Sequence, residues 1–182
     1  MPKKLITFTF GETKKTVMAN EKQFKLNTMF IGTRGVKEYR ASIAEWVRPN
    51  DVVLEIGCEW GTTTEVIAPA CKEVIGTDIS PECIARARQE RPNLHFEVLD
   101  GFDVRAAFEL RDHFDKVYID ISGLSGYRSL LDLMALLTMY ATMLRPKAIV
   151  VKSGALKQFA SHCIAWKDPA LRLWKRDEEG VA

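Results

Sequence analysis

An α/β fold, with a mostly parallel sheet and helices on both faces, is what this sequence predicts, and three observations predict it. From residue 50 onward, short Val/Ile-rich runs alternate with helical patterns. The first of these runs ends in a glycine-bearing turn that enters a helix, which is where open α/β sheets bind their ligands. The chain holds 182 residues, 47% hydrophobic and 27% charged, enough for one full core and too balanced for a disordered or fibrous class.

The elements follow in order. "LITFTFGETKKTVM" alternates as a strand, a turn and a strand, and predicts a small basic appendage over residues 1–34. "GVKEYRASIAEWV" has the spacing of an amphipathic helix and leads to Pro49 and Asn50, so one core domain is expected over residues 35–182. Five core strands are predicted at "VVLEI" (52–56), "EVIGTD" (73–78), "LHFEVL" (94–99), "KVYID" (116–120) and "AIVVK" (148–152). Between them Ser80 reads as an N-cap, Pro81 as the first helical residue and Pro92 as a stop. The segment from Arg128 to Leu144 is apolar nearly all round and suits a helix packed closely on the sheet. The 28 residues after Gly154 leave room for a helix over about 155–166 and one strand near "LRLWK", so a shortened C-terminal end is expected.

The opening "MPKKLITFTF" lacks a sustained apolar stretch with a small-residue cleavage site, and the richest apolar run is interrupted by Asp132, so secretion and membrane insertion are not expected. Cys58, Cys71, Cys83 and Cys163 form no CxxC pair and fit free thiols of a cytoplasmic protein. With His95, His113 and His162 equally scattered, no metal site is predicted. Net charge is only +2, but residues 1–40 hold nine Lys or Arg against three Glu, so the front is basic (+6) and the remainder acidic (−4). That asymmetry points to a polyanionic partner or to an ordinary solvated face.

In "VVLEIGCEWGTTTEV" a buried strand ends at Glu55 and Ile56, turns through Gly57, Cys58 and Gly61, and enters a helix. A dinucleotide loop of the form GxGxxG would need glycine at position 59, where Glu59 stands. Glu55 and Glu59 beside a helix start oppose a pyrophosphate and favour a ligand with a cationic end. The second strand ends in Asp78, seventeen residues past Gly61, where a carboxylate can accept hydrogen bonds from both hydroxyls of a ribose. The third leads to "VLDGFD", placing Asp100 where it could meet an adenine amino group and Phe102 near the ring.

Together these segments resemble the class I (Rossmann-like) S-adenosylmethionine-dependent methyltransferases. "LEIGCEWG" is similar to their E/DxGxxxG loop, "GTDIS" to their ribose-binding acidic motif and "VLDGFD" to their adenine-side motif, in the right order over residues 35–155. The resemblance implies S-adenosyl-L-methionine as cofactor. It also implies a cofactor site formed by Glu55, Gly57, Cys58, Glu59, Gly61, Asp78, Ile79, Asp100, Gly101 and Phe102.

In that family the fourth and fifth strands are neighbours, so Asp120 and Lys152 are expected to face the transferred methyl group. A DPPY-like sequence, which would suit an amine of a flipped base, is absent. Lysine at the end of the fifth strand speaks against the bound divalent ion of catechol-type enzymes. Asp and Lys at these positions resemble the fibrillarin and FtsJ-type RNA ribose 2′-O-methyltransferases. That likeness implies Lys37, twenty residues before Gly57, as a further catalytic lysine, and Glu178 or Glu179 as the fourth member, with Glu179 assigned. A ribose hydroxyl is a poor nucleophile, so attack needs its proton removed or its developing charge stabilised. A lysine at a partly desolvated strand end, oriented by Asp120 and close to a second cation, would serve.

The sequence therefore predicts a methyltransferase acting on an RNA ribose hydroxyl. Small-molecule or protein substrates, or a non-catalytic cofactor-binding module, stand as alternatives, because fold never decides substrate. Nothing in the sequence sets the oligomeric state.

Overall fold

A computed structural model describes residues 4–10, 13–19 and 26–163 of the chain. Two antiparallel strands, β1 (Lys4–Phe10) and β2 (Thr13–Ala19), form a separate hairpin in which Lys4 pairs with Ala19 and Phe10 with Thr13. The main sheet has six strands, all parallel: β3 (Met29–Thr33), β4 (Val52–Ile56), β5 (Glu73–Asp78), β6 (His95–Val98), β7 (Lys116–Ile119) and β8 (Ala148–Lys152). Their spatial order is β3-β8-β7-β4-β5-β6.

Burial on both faces explains the near-continuous apolar runs. Alternate residues of each strand feed two different cores. On one side α1 (Val36–Trp46), α2 (Thr62–Ile67) and α3 (Pro81–Glu90) cover the sheet, with Tyr39, Ile43 and Ile67 packed on Val53, Tyr118 and Val150. Farther along this side, Ile84 and Ala87 of α3 pack with Phe96. On the other side lie α4 (Val104–Leu110), α5 (Leu130–Met143) and α6 (Gly154–Ser161), which bury Phe108, Leu133, Leu136, Tyr140 and Leu156 against Leu54, Ile56, Ile119, Ile149 and Val151. Each fully buried side chain of this size contributes about 1.5–3 kcal/mol.

The five strands predicted after residue 50 are β4 to β8, shortened by a residue at one or both ends in β6 and β7. Ser80 caps α3 by accepting a hydrogen bond from the Cys83 amide at 3.2 Å, with Pro81 in the first turn. The predicted boundary at residue 34 is corrected: Met29–Thr33 are a strand of the main sheet, paired in parallel with β8, so the core begins before residue 35. The alternation of this segment is weak because β3 is an edge strand, with Met29 and Phe30 exposed and Thr33 buried. The helix predicted from Arg128 begins as a 3-10 turn (Tyr127–Ser129) before α5, and Leu131 and Met134 face outward. The strand near "LRLWK" and the candidates Glu178 and Glu179 lie outside the described residues.

Chain order reverses between β4 and β7: β4, β5 and β6 run to one edge of the sheet, whereas β7, β8 and β3 run to the other. At such a switch point the loops leaving the carboxyl ends of the two neighbours diverge and open a crevice.

Candidate active site

The crevice is a cavity of about 520 Å³. Its walls come from the carboxyl ends of β4, β5, β6, β7 and β8 and the loops that follow. The strand β4 and its loop supply Ile56, Gly57 and Glu59; β5 and its loop supply Asp78 and Ile79; the segment after β6 supplies Asp100, Gly101 and Phe102. Opposite them stand Asp120, Ile121 and Ser122 after β7, and Lys152 at the end of β8.

The loop after β4 is held by backbone geometry. The amides of Gly57 and Cys58 both donate to the Thr77 carbonyl, at 2.7 and 2.8 Å, folding the loop over β5. Gly57 has φ +81°, and a Cβ there would come within 2.1 Å of the Asp120 carbonyl oxygen. Only glycine lets the first loop lie this close to the one after β7. Glu59 follows with φ 50°, and its amide donates to Asp78 Oδ2 at 3.0 Å, while Asp78 Oδ1 accepts from the Ser80 amide at 2.9 Å. The carboxylate at the end of β5 is thereby fixed at the cavity edge. Asp100 is fixed in the same manner by the Phe102 amide at 2.9 Å, and Tyr140 of α5 donates to the Gly101 carbonyl at 3.0 Å.

On the far wall Lys152 Nζ forms an ion pair with Asp120 Oδ1. Both side chains are partly buried, at 27% and 17% exposure, so each is more desolvated than a surface pair. Asp120 follows β7 because its amide continues the ladder to the Ile56 carbonyl at 2.8 Å, and Ser125 reaches the Lys152 carbonyl at 3.2 Å. Lys152 is also paired in register with Thr33, the last residue of β3.

Of the residues expected to hold the cofactor, Gly57, Glu59, Asp78, Ile79, Asp100, Gly101 and Phe102 line the cavity. Glu55, Cys58 and Gly61 stand behind its wall. Glu55 faces the α1 and α2 layer, is 1% exposed, and accepts a hydrogen bond from Thr64 Oγ1 at 2.5 Å. Burial pushes its carboxyl up to about 7. Burial likewise raises the Cys58 thiol far above its ordinary range, and the nearby Glu55 and Asp78 add to the effect. Gly61 packs on the Phe96 ring. Lys37 lies exposed in the first turn of α1 and is not among the cavity-lining residues. Sequence reasoning missed Ile56, Leu99, Ile121, Ser122 and Cys83 as lining residues. Ser122 was signalled only by its place two residues past Asp120, and Cys83 only by its place in the first turn of α3.

The cavity matches the chemistry of S-adenosylmethionine. Four carboxylates, Glu59, Asp78, Asp100 and Asp120, suit a ligand with hydroxyls and positive charge, and the exposed side chains of Ile79 (65%) and Phe102 (44%) offer apolar faces to a ring. A Cβ on Gly101 would come within 2.8 Å of Ile56 Cγ2, so the backbone there leaves the pocket floor clear. Among the described residues no cluster of three or more metal-ligating side chains occurs. No described helix is long and apolar enough to cross a membrane.

A family model described as a methyltransferase domain matches residues 53–147, just over half of the chain. No curated protein matches. Among solved structures, DesVI from Streptomyces venezuelae is 22% identical over 64% of this chain and 51% of its own, with a TM-score of 0.50. The sugar N-methyltransferase KedS8 from Streptoalloteichus sp. ATCC 53650 is 19% identical over 64% of this chain and 46% of its own, also at 0.50. The YcgJ protein from Bacillus subtilis is 24% identical over 46% of this chain and 38% of its own, with a TM-score of 0.39. The chain thus spans about half or less of the length of these structures, and the first two show its fold. The matched segment runs from Val53 in β4 to Lys147, the residue before β8, and includes every carboxylate of the cavity but not Lys152. The chain therefore belongs to the S-adenosylmethionine-dependent methyltransferase domain family.

Proposed function

We propose that the protein is a methyltransferase that transfers the methyl group of S-adenosylmethionine to a ribose 2′-hydroxyl of RNA. The observation that carries this reading is the Asp120–Lys152 ion pair on the wall opposite Glu59, Asp78 and Asp100. When bound, S-adenosylmethionine supplies an electrophilic methyl group on a positively charged sulfur.

The chain's own groups have distinct tasks. Asp78 accepts hydrogen bonds from ribose hydroxyls of the cofactor, Asp100 meets the adenine amino group, and Ile79 and Phe102 cover the ring. Lys152, held as an ammonium by Asp120, faces the attacking oxygen and stabilises its developing negative charge while the hydroxyl proton leaves to solvent. Asp120 fixes the ammonium so that it is already in place when the oxygen arrives, and that alignment supplies much of the rate of an in-line displacement.

The position of the basic segment supports a polyanionic substrate. β3 ends in register with Lys152, so Arg34 and Lys37, both exposed, follow at the same rim of the sheet as the ion pair. Phosphates flanking the target ribose would meet Arg34 and Lys37 there, a role for Lys37 outside the reacting centre.

The test is incubation with labelled S-adenosylmethionine and total RNA, protein and metabolite fractions, with mass spectrometry of the labelled product. Label recovered as a 2′-O-methylnucleoside, with RNA affinity falling at least about tenfold between low and high salt, is the expected result. Label in the metabolite or protein fraction would replace the substrate, and absence of label with intact cofactor binding would leave a binding module.

A further inference from the structure

Beneath the active-site wall lie two buried polar groups that the proposed chemistry does not use. Glu55 is the residue immediately before Ile56 and Gly57, which line the cavity, yet its own side chain turns away into the layer under α1 and α2. Its carboxyl accepts a hydrogen bond from Thr64, and among the described residues no ion pair reaches it. Arg40 of α1, whose charge favours the ionised carboxyl, has its Nε bonded to the Thr63 hydroxyl at 3.0 Å instead. Tyr39 of α1 is fully buried in the same layer, and its hydroxyl is the one buried side-chain polar atom without a hydrogen-bond partner among the described residues. Its ring packs edge-on against Tyr118 at 5.2 Å, and Tyr118 is the register partner of Glu55 across β4 and β7; burial, with the charges of Glu55 and Asp120 adding to it, raises the phenol well above its ordinary range. An unmet buried hydroxyl costs about 1–3 kcal/mol, so its persistence beside a carboxyl calls for a state in which it has an acceptor.

Thr64 of α2 bonds Glu55 and Tyr118 of β7 is its register partner, and the other groups that act on it or are acted on by it electrostatically come from each element around it. They are Tyr39 and Arg40 from α1, Cys58 from the loop after β4 and Asp120 just beyond β7. Tyr118 is occupied by Ser42 at 3.2 Å, and Asp120 by Lys152. Burial first, and then the charge of Asp120, outweigh Thr64 and Arg40 and raise the carboxyl to about 7, so in the free protein it holds a proton below that pH. A cation entering the cavity on the other side of Ile56 and Gly57 changes that balance.

We infer that Glu55, with Tyr39 as a donor held ready for its ionised form, discriminates the charged methyl donor from the uncharged product: it releases its proton when a sulfonium ligand fills the cavity and keeps it when a thioether does. This rests on the S-adenosylmethionine reading of the cavity. The amino-acid ammonium and the adenosine are common to donor and product, so the difference arises from the sulfur charge alone. The released proton passes to solvent, and no bond other than O–H is broken. The consequence is a preference for donor over product that grows as pH rises through neutrality.

Calorimetric titration of the whole chain with S-adenosylmethionine and with S-adenosylhomocysteine, in two buffers of different ionisation enthalpy, counts the protons. At pH 6.5 the donor should release about half a proton and the homocysteine compound clearly less, and near pH 8.5 the two should agree. The donor-to-product affinity ratio should rise several-fold between pH 5.5 and 8. Glu55→Gln should abolish the difference in proton count. Tyr39→Phe, which removes the donor and keeps the ring, should shrink it and serves if the first variant fails to fold. Equal proton counts for the two ligands in the native chain, or a difference that survives in a folded Glu55→Gln protein, would overturn the inference while leaving the cofactor reading intact. No binding of either ligand would overturn both.

Discussion

Lys152 is the residue on which the proposed chemistry turns. Its aliphatic stem leaves β8 beside Thr33, and its ammonium meets Asp120 within a partly dry wall. A surface pair of this kind would contribute no more than about 1 kcal/mol, so stability alone gives little reason for a lysine at the end of an otherwise apolar strand. Lys152→Ala should therefore leave S-adenosylmethionine affinity within about threefold of native, because Asp78 and Asp100, proposed to hold the cofactor, are on the opposite wall. Methyl transfer should fall by a factor of about 10² or more, as for loss of a positioned charge-stabilising group. Equilibrium binding and single-turnover rates measure the two effects separately, and a variant that transfers methyl at the native rate would remove Lys152 from the reaction. That Asp120 and Lys152 meet was expected from the resembled family, in which the fourth and fifth strands are neighbours, because each residue ends one of two consecutive apolar runs read as strands. The role of Tyr39 was not, since an aromatic residue on the inward stripe of an amphipathic helix looks like packing whether or not its hydroxyl finds a partner.

The loop between β4 and α2 is the element that makes the crevice possible. It carries three positive φ values in five residues, Gly57, Glu59 and Gly61, and it touches the backbone after β7 at Gly57. Gly57→Ala places a side chain in the left-handed region, which costs about 1–2 kcal/mol, and presses it on the Asp120 carbonyl besides. The expected outcome is a loss of at least about 2 kcal/mol in urea denaturation, together with weaker cofactor binding as Asp120 and the loop separate. A native denaturation midpoint would show that the two loops do not pack as described. Glycine spacing made this loop readable from the chain alone. The strand β3 shows the opposite case: at a sheet edge, with a partner 119 positions away in sequence at every paired residue, its exposure pattern follows the neighbour and not its own alternation. For that reason the sequence assigned Met29–Thr33 to the appendage.

At the scale of the whole molecule, the cavity concentrates acidic groups, and its buried acid should be visible in the pH dependence of folding. Glu55 has its carboxyl raised from 4.5 to about 7 in the folded state by burial, so the stability it contributes is fully present below pH 4.5 and is lost as pH rises through 7. The loss amounts to about 3 kcal/mol. Glu55→Gln cannot ionise, so the stability of the variant relative to the native chain should increase from pH 4.5 to 8, as read by thermal or urea unfolding at each pH. A flat difference across that range would mean that the carboxyl is ionised freely in the folded protein. Fold and cofactor cavity were accessible from the sequence because three motifs sit at the ends of consecutive strands and resemble those of a known family, whose strand order brings the remaining two strands beside them. Substrate was not, because the rim that would meet it is assembled from β3, α1 and the loop after β7, which come together only in space. The account's central claim is the placement of the methyl donor between the carboxylates and Lys152, and a crystal structure of the chain with S-adenosylmethionine tests it most directly. The account predicts the ribose on Asp78, the adenine between Ile79 and Phe102 and the methyl group directed at the Asp120–Lys152 wall; a donor bound anywhere else, or with its methyl group turned away from Lys152, would contradict it.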